Sequence, residues 1–158
     1  MITKYGLFTD TYTSLTGTGL MPGMVAATTN APDLKMLVQN NSSGGTITAG
    51  EALMFTTGAA TSYEVDAATG TGTPIIGVND QAGTVHTGAS IAAGTYFWMS
   101  YKGFAYPLVA TGRSVNDLLG PSATAGTLDV RSTAMQSNIV LLAANSSGGA
   151  LAKLCFIS

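Results

Sequence analysis

The stretch Thr95-Tyr96-Phe97-Trp98-Met99-Ser100-Tyr101 decides the fold class of this sequence. Aromatic residues fill it, and it contains neither glycine nor proline, which is the composition of a β-strand. Side chains alternate faces along a strand. Tyr96, Trp98 and Ser100 therefore share one face, and Phe97, Met99 and Tyr101 share the other. Both faces are bulky. Such a strand lies in the middle of a sandwich, or puts one face into the core and the other against a neighbouring subunit. Lys102-Gly103 follows as a turn signal and Phe104-Ala105-Tyr106 as a second run, which together predict a hairpin. Pro107 cannot donate to a ladder, so the second strand is expected at an edge or bulged there.

Working outward, short β-rich runs recur with Gly, Asn and Ser between them, and apolar residues rarely gather at helical spacing. Further strands are expected at Leu34 to Gln39, Ala52 to Thr56, Tyr63 to Val65, Ile75 to Val78, Phe104 to Ala110, Thr127 to Arg131, Asn138 to Leu142 and Ala152 to Ile157. The last two flank Asn145-Ser146-Ser147-Gly148-Gly149 and predict a C-terminal hairpin. The expected fold is all-β, a small antiparallel β-barrel or β-sandwich occupying residues 31–158, with an extended N-terminal arm over residues 1–30. Thr9 to Gly19 is mostly Thr, Ser and Gly, too poor in apolar residues to fold alone. Ile2, Tyr5, Leu7, Phe8, Tyr12, Leu15 and Leu20 suit such an arm to docking on another surface. The alternative is that this segment completes its own sheet as a first strand.

The 158 residues amount to one domain with enough chain to bury an apolar core. Only 9% are charged, against about 25% in an average soluble protein. A freely dispersed monomer keeps a charged, mixed surface, so much of this surface is expected to be covered by other molecules. Six Lys and Arg against eight Asp and Glu give a net charge of −2 with no basic cluster, which argues against nucleic-acid binding by phosphate neutralisation. The longest apolar stretch, Ile139 to Ala144, is far short of a membrane span. The start, MITKYGLFTD, has the pattern of neither a secretory signal nor a transit peptide, so synthesis and folding in a cytoplasm are expected.

Residues that carry chemistry are few. His86 is the one histidine, and the nearest acid in sequence is Asp80, so a Ser-His-Asp arrangement has no orienting carboxylate at hand. Cys155 is the one cysteine, flanked by Leu154, Phe156 and Ile157 like a buried small hydrophobe. No calcium-loop or multi-cysteine spacing occurs. Gly17-Thr18-Gly19 and Gly70-Thr71-Gly72 open like nucleotide-binding loops, but neither follows a buried strand and leads into a helix. Glu51, Glu64 and Asp66 offer carboxylates for a glycosidase-like pair, although acids at alternate strand positions ordinarily mark a solvent face. Neither catalytic residues, metal ligands nor cofactor are expected, and the chain reads as a non-enzyme. Tyr96, Trp98 and Tyr101 are the candidate contact residues of the central strand, and Tyr5, Phe8 and Tyr12 those of the arm. The aromatic stripe also admits sugar stacking in a carbohydrate-binding module.

The order of segments in the second half adds a resemblance. Pro74-Ile75-Ile76-Gly77-Val78 is followed by Ile91-Ala92-Ala93-Gly94-Thr95-Tyr96-Phe97-Trp98 and by Lys102-Gly103-Phe104-Ala105. Asn116-Asp117-Leu118-Leu119-Gly120-Pro121-Ser122-Ala123-Thr124-Ala125-Gly126-Thr127-Leu128 completes the series. From about Pro74 to Ile157 the chain resembles the capsid decoration, or cement, proteins of tailed bacteriophages. The resemblance implies a small β-barrel or β-sandwich without an active site, bound to the outer capsid surface. It implies the major capsid protein and further copies of the chain as partners, a homotrimer favoured, with no nucleic acid or membrane involved. A head-fibre or tail component of the virion is the alternative within the same class.

Overall fold

The computed structural model describes residues 10–27, 33–41, 43–56, 63–70, 74–80, 90–131, 139–144 and 152–154. Among these residues there is no helix, and the fold is all-β. The strands are β1 (Thr11–Tyr12), β2 (Val25–Ala27), β3 (Leu34–Asn40), β4 (Ile47–Thr48), β5 (Ala52–Phe55), β6 (Glu64–Ala67) and β7 (Gly77–Val78). They continue as β8 (Ser90–Ile91), β9 (Tyr96–Ala105), β10 (Leu118–Pro121), β11 (Leu128–Val130), β12 (Ile139–Leu141) and β13 (Ala152–Leu154).

β9 organises the molecule. It does not turn at Lys102-Gly103, as its sequence predicts, but runs through as one strand of ten residues. Two local features replace the hairpin. The pairings Leu34↔Lys102 and Lys35↔Ser100 leave Tyr101 as the extra residue of a bulge, which bends a strand without ending it. Gly103 then takes φ +100°, and its missing Cβ makes room for Asp33, whose carboxylate accepts the Phe104 N–H at 2.9 Å. A positive-φ glycine beside a bulge thus steers the strand from one sheet into the next.

The N-terminal half of β9 closes a barrel. β9 pairs with β3 and β7, β7 with β5, β5 with β6, and β6 with β3, which returns the ladder to its start. All of these pairings are antiparallel except β3 with β6, which is parallel; the sheet is therefore mixed rather than purely antiparallel. Met36, Val38, Leu53, Val65, Phe97 and Met99 fill the interior. Ile47 and Ile91, from the separate β4–β8 ladder, join the same core. That ladder is tied on by two fully buried amides. Asn40 Nδ2 donates to the Gly45 and Ile91 carbonyls at 2.9 and 2.8 Å, and Asn79 Nδ2 donates to the Thr48 carbonyl at 2.9 Å.

The C-terminal half of β9 begins a second sheet, β9-β13-β12-β10-β11, antiparallel throughout. The expected C-terminal hairpin is present as β12 and β13, with Val140 opposite Lys153. Leu128 of β11 forms a parallel bridge with Val109, four residues beyond the end of β9, so this sheet also curls back toward its origin. Its core holds Ala105, Val109, Leu119, Leu128, Ile139, Leu141 and Ala152. Ala52, Ala68 and Val78 of the barrel wall belong to the same cluster, which fuses the two halves.

Candidate interaction surface

The six contact candidates divide. Tyr5 and Phe8 lie outside the described residues, as do His86 and Cys155. Tyr12, Tyr96 and Trp98 come together. β1 pairs with the start of β9, Tyr12 opposite Tyr96, while Trp98 stands opposite Leu37 of β3. Leu20, Leu37 and Trp98 form a third apolar cluster, onto which Tyr12, Leu15, Met24, Ala26 and Tyr96 pack. Tyr101 points to the other face of β9 and packs against the barrel core.

The second bulky face of the central strand is therefore covered by the chain's own N-terminal segment. Leu20 is 6% exposed and Trp98 2%. Residues 10–27 lie on their own sheet, with β2 paired to β3 and the Gly23 N–H donating to the Leu37 carbonyl at 2.7 Å. Of the two readings of this segment, its described part follows the one in which it completes its own sheet. Hydrogen bonds of the ladder supply what its Thr- and Gly-rich composition lacks in apolar contact.

Beyond Trp98 the same face of β9 carries Ser100, which is buried and whose Oγ accepts a hydrogen bond from Lys35 Nζ at 2.6 Å. Burial lowers the Lys35 pKa from its ordinary 10.5, against the opposing pull of the Asp80 and Asp33 carboxylates. Asp80 is itself 6% exposed. Ser100 and Asp80 lie inside the protein, so the group reads as a structural polar bridge between β3, β7 and β9. Glu51 is likewise structural, since its Oε2 accepts the Thr48 N–H at 2.8 Å. Among the described residues no group of three His, Cys, Asp or Glu side chains is placed to hold a metal ion, and no helix is long and apolar enough to cross a membrane.

What remains on the outside is an apolar face that the sequence reading did not single out. Paired residues share a face of a sheet. The pairs Phe104↔Lys153, Lys153↔Val140 and Val140↔Leu118 therefore draw one row across four strands of the second sheet, on the side away from its core. Phe104 and Leu118 are each 43% exposed, Lys153 is exposed and Val140 half-buried. The Arg131 N–H donates to the Leu118 carbonyl at 2.9 Å, extending the row by one more cation. The signal was present in the doublet Leu118-Leu119: on a strand one of two consecutive leucines faces outward. A second exposed group forms around Phe55 on β5, whose ring meets that of Tyr63 edge-on at 6.1 Å.

No protein-family model matches the chain, and no curated protein sequence matches it. A solved structure does share its fold. A chain from "The capsid of Myoviridae Phage XM1" superposes with a TM-score of 0.52 at 17% sequence identity, covering 85% of this chain and 89% of that one. At that identity the likeness establishes a common fold.

Proposed function

We propose that this chain is a non-enzymatic structural protein of a phage virion, which binds the outer surface of the capsid and stabilises the shell as a decoration protein. The observation that carries the reading is the shared fold with a phage-capsid chain over most of both lengths. The composition supports it. A chain with 9% charged residues strips few ionised groups of water when it packs against neighbours. Each contact need only be of ordinary size, about 800 Å² per partner, because many copies on one particle act together.

The major capsid protein is the proposed partner, with further copies of the chain and a trimeric arrangement as the favoured assembly. The seam of Tyr12 and Tyr96, both half-buried, is the part of the aromatic stripe still open to such a partner. Trp98 is closed off by Leu20, which deprives a carbohydrate-binding reading of its largest stacking platform.

The test is reconstitution. Capsids assembled without the protein should take it up on mixing and resist heat to a higher temperature, with added density on the outer surface in electron micrographs. Uptake by tails or fibres with none by the shell would move the chain to another part of the virion. Failure to bind any virion part would overturn the reading.

A further inference from the structure

The path of strands through the large sheet ends at β11 on one side and at β2 on the other. An outer strand offers unpaired main-chain donors and acceptors to any extended chain, and proteins ordinarily blunt it. β11 is blunted. On its outer side the Leu128 N–H donates to the Leu108 carbonyl and the Leu128 carbonyl accepts the Ala110 N–H, both at 2.8 Å. The next outward donor, the Val130 N–H, goes to the Asp129 carboxylate, which Arg113 holds at 2.7 Å.

β2 has no such cover. Its register with β3 is Val25↔Met36, Ala26↔Lys35 and Ala27↔Leu34, and the Leu37 N–H donates to the Met24 carbonyl at 2.9 Å. Main-chain groups alternate sides along an antiparallel ladder. The Met24 carbonyl and Ala26 therefore face β3, and Val25 and Ala27 turn their N–H and carbonyl groups outward. Among the described residues nothing bonds to these outward groups. Val25 is 44% exposed, and Ala27 is exposed. Met24 to Ala27 carries no charge and no proline, so neither of these common guards protects the edge. The edge is also held ready. The Gly23 N–H donates to the Leu37 carbonyl at 2.7 Å, the Met24 N–H donates to the Met21 carbonyl at 3.1 Å, and the Tyr63 ring lies against Gly23, where any Cβ would collide with it. A strand fixed in advance loses little freedom when a partner adds to it.

We propose that an extended segment of a capsid subunit adds to β2 as a further strand, hydrogen-bonded through the N–H and carbonyl groups of Val25 and Ala27. This rests on the shell-binding reading and names the edge through which it acts. The two donors and two acceptors repeat every second residue, about 7 Å, which is the spacing of a partner strand. That selects an extended backbone as the occupant. No ionised side chain lies on β2, so a charge laid beside Val25 and Ala27 would lose water without gaining a partner. The incoming segment is therefore mostly uncharged. Four hydrogen bonds make a weak contact singly, and repetition over a particle makes it strong.

Proline separates this edge from the sheet it belongs to. Ala27→Pro removes an outward N–H and crowds the incoming strand, yet leaves the Ala26↔Lys35 pairing in place. Unchanged circular dichroism and Trp98 emission certify its fold. On capsids lacking the protein, the natural sequence should bind, and Ala27→Pro should need at least about tenfold more protein for half-saturation, the scale of one lost main-chain hydrogen bond with an added clash. Hydrogen exchange on the natural protein gives a reading that needs no variant. In the isolated protein the Val25 and Ala27 amides should exchange fast and the Ala26 amide slowly, and on the capsid all three should be slow. A natural protein that does not bind capsids overturns the shell-binding reading and the added strand with it. Binding with Val25 and Ala27 still exchanging fast, or a folded Ala27→Pro variant that binds equally well, overturns the added strand alone and leaves shell binding standing. Slow exchange at both positions already in the isolated protein, or a strand on β2 that a map of the decorated capsid traces to a second copy of this chain, does the same.

Discussion

At position 98 a tryptophan has an apolar neighbour across the sheet and an apolar segment packed onto it. Leu37 stands opposite it and Leu20 lies over it. Truncating a buried large aromatic removes its transfer energy and leaves a cavity, so Trp98→Ala should lower the unfolding free energy by about 3 to 5 kcal/mol in denaturant titration. A loss below about 1 kcal/mol would mean that the side chain is not enclosed. Lys35 behaves differently, because its environment disfavours its charge. Its folded pKa lies below the 10.5 it has when unfolded. Over the interval between those two values the unfolded chain binds more protons than the folded one, so stability rises as pH rises through it. Below the lowered pKa both states are protonated and the full cost of burying the ammonium is felt. Urea midpoints measured from pH 7 to 10.5 should therefore climb more steeply for the natural protein than for Lys35→Met, and parallel profiles would contradict the burial. The carboxylates of Asp80 and Asp33 face Lys35 and hold it closer to its ordinary value.

Elements were legible in the sequence where their apolar pattern was strong and illegible where only hydrogen bonds define them. β3, β5, β9, β12 and β13 coincide with expected strands to within a few residues. β1, β4 and β8 are two-residue ladders with no pattern long enough to read, and β10 hides its strand character in Leu118-Leu119-Gly120-Pro121, which ends in a residue depleted from strands. The hairpin expected at Lys102-Gly103 failed because glycine after lysine is a common turn signal, while here the glycine answers to Asp33, 70 residues earlier in the chain. Contacts at that distance leave no local trace. The small β4–β8 ladder shows what such long-range contacts hold together. Asn40→Ala would leave the buried Ile91 carbonyl without its donor and remove the bond to the Gly45 carbonyl as well, at a cost of about 1 to 3 kcal/mol. Hydrogen exchange should then speed up in Ile47–Thr48 and Ser90–Ile91 before it does in β3 or β9. Uniform acceleration across the chain would show that the amide supports the whole barrel instead.

At the scale of the molecule, the exposed apolar row through Phe104, Lys153, Val140 and Leu118 was the least readable feature, since it exists only once four distant strands are in register. The aromatic stripe at Tyr96 and Trp98 is legible because it is contiguous in sequence, yet its covering comes from the same chain. The two halves share more than a surface. β9 supplies Phe97 and Met99 to the barrel core and Ala105 to the core of the second sheet, and on β5 adjacent residues Ala52 and Leu53 point into one core each. Neither circuit of strands can be completed when β9 is withdrawn. Thermal unfolding should for this reason be a single cooperative transition, with calorimetric and van't Hoff enthalpies in agreement. Leu53→Ala in one core and Leu141→Ala in the other remove fully buried side chains, each costing about 2 to 5 kcal/mol. Both should shift that one transition to lower temperature as a whole. If Leu141→Ala instead split the melt into two steps, with Trp98 fluorescence retained after the first, the barrel would be an independent unit and β9 merely a tether between two domains.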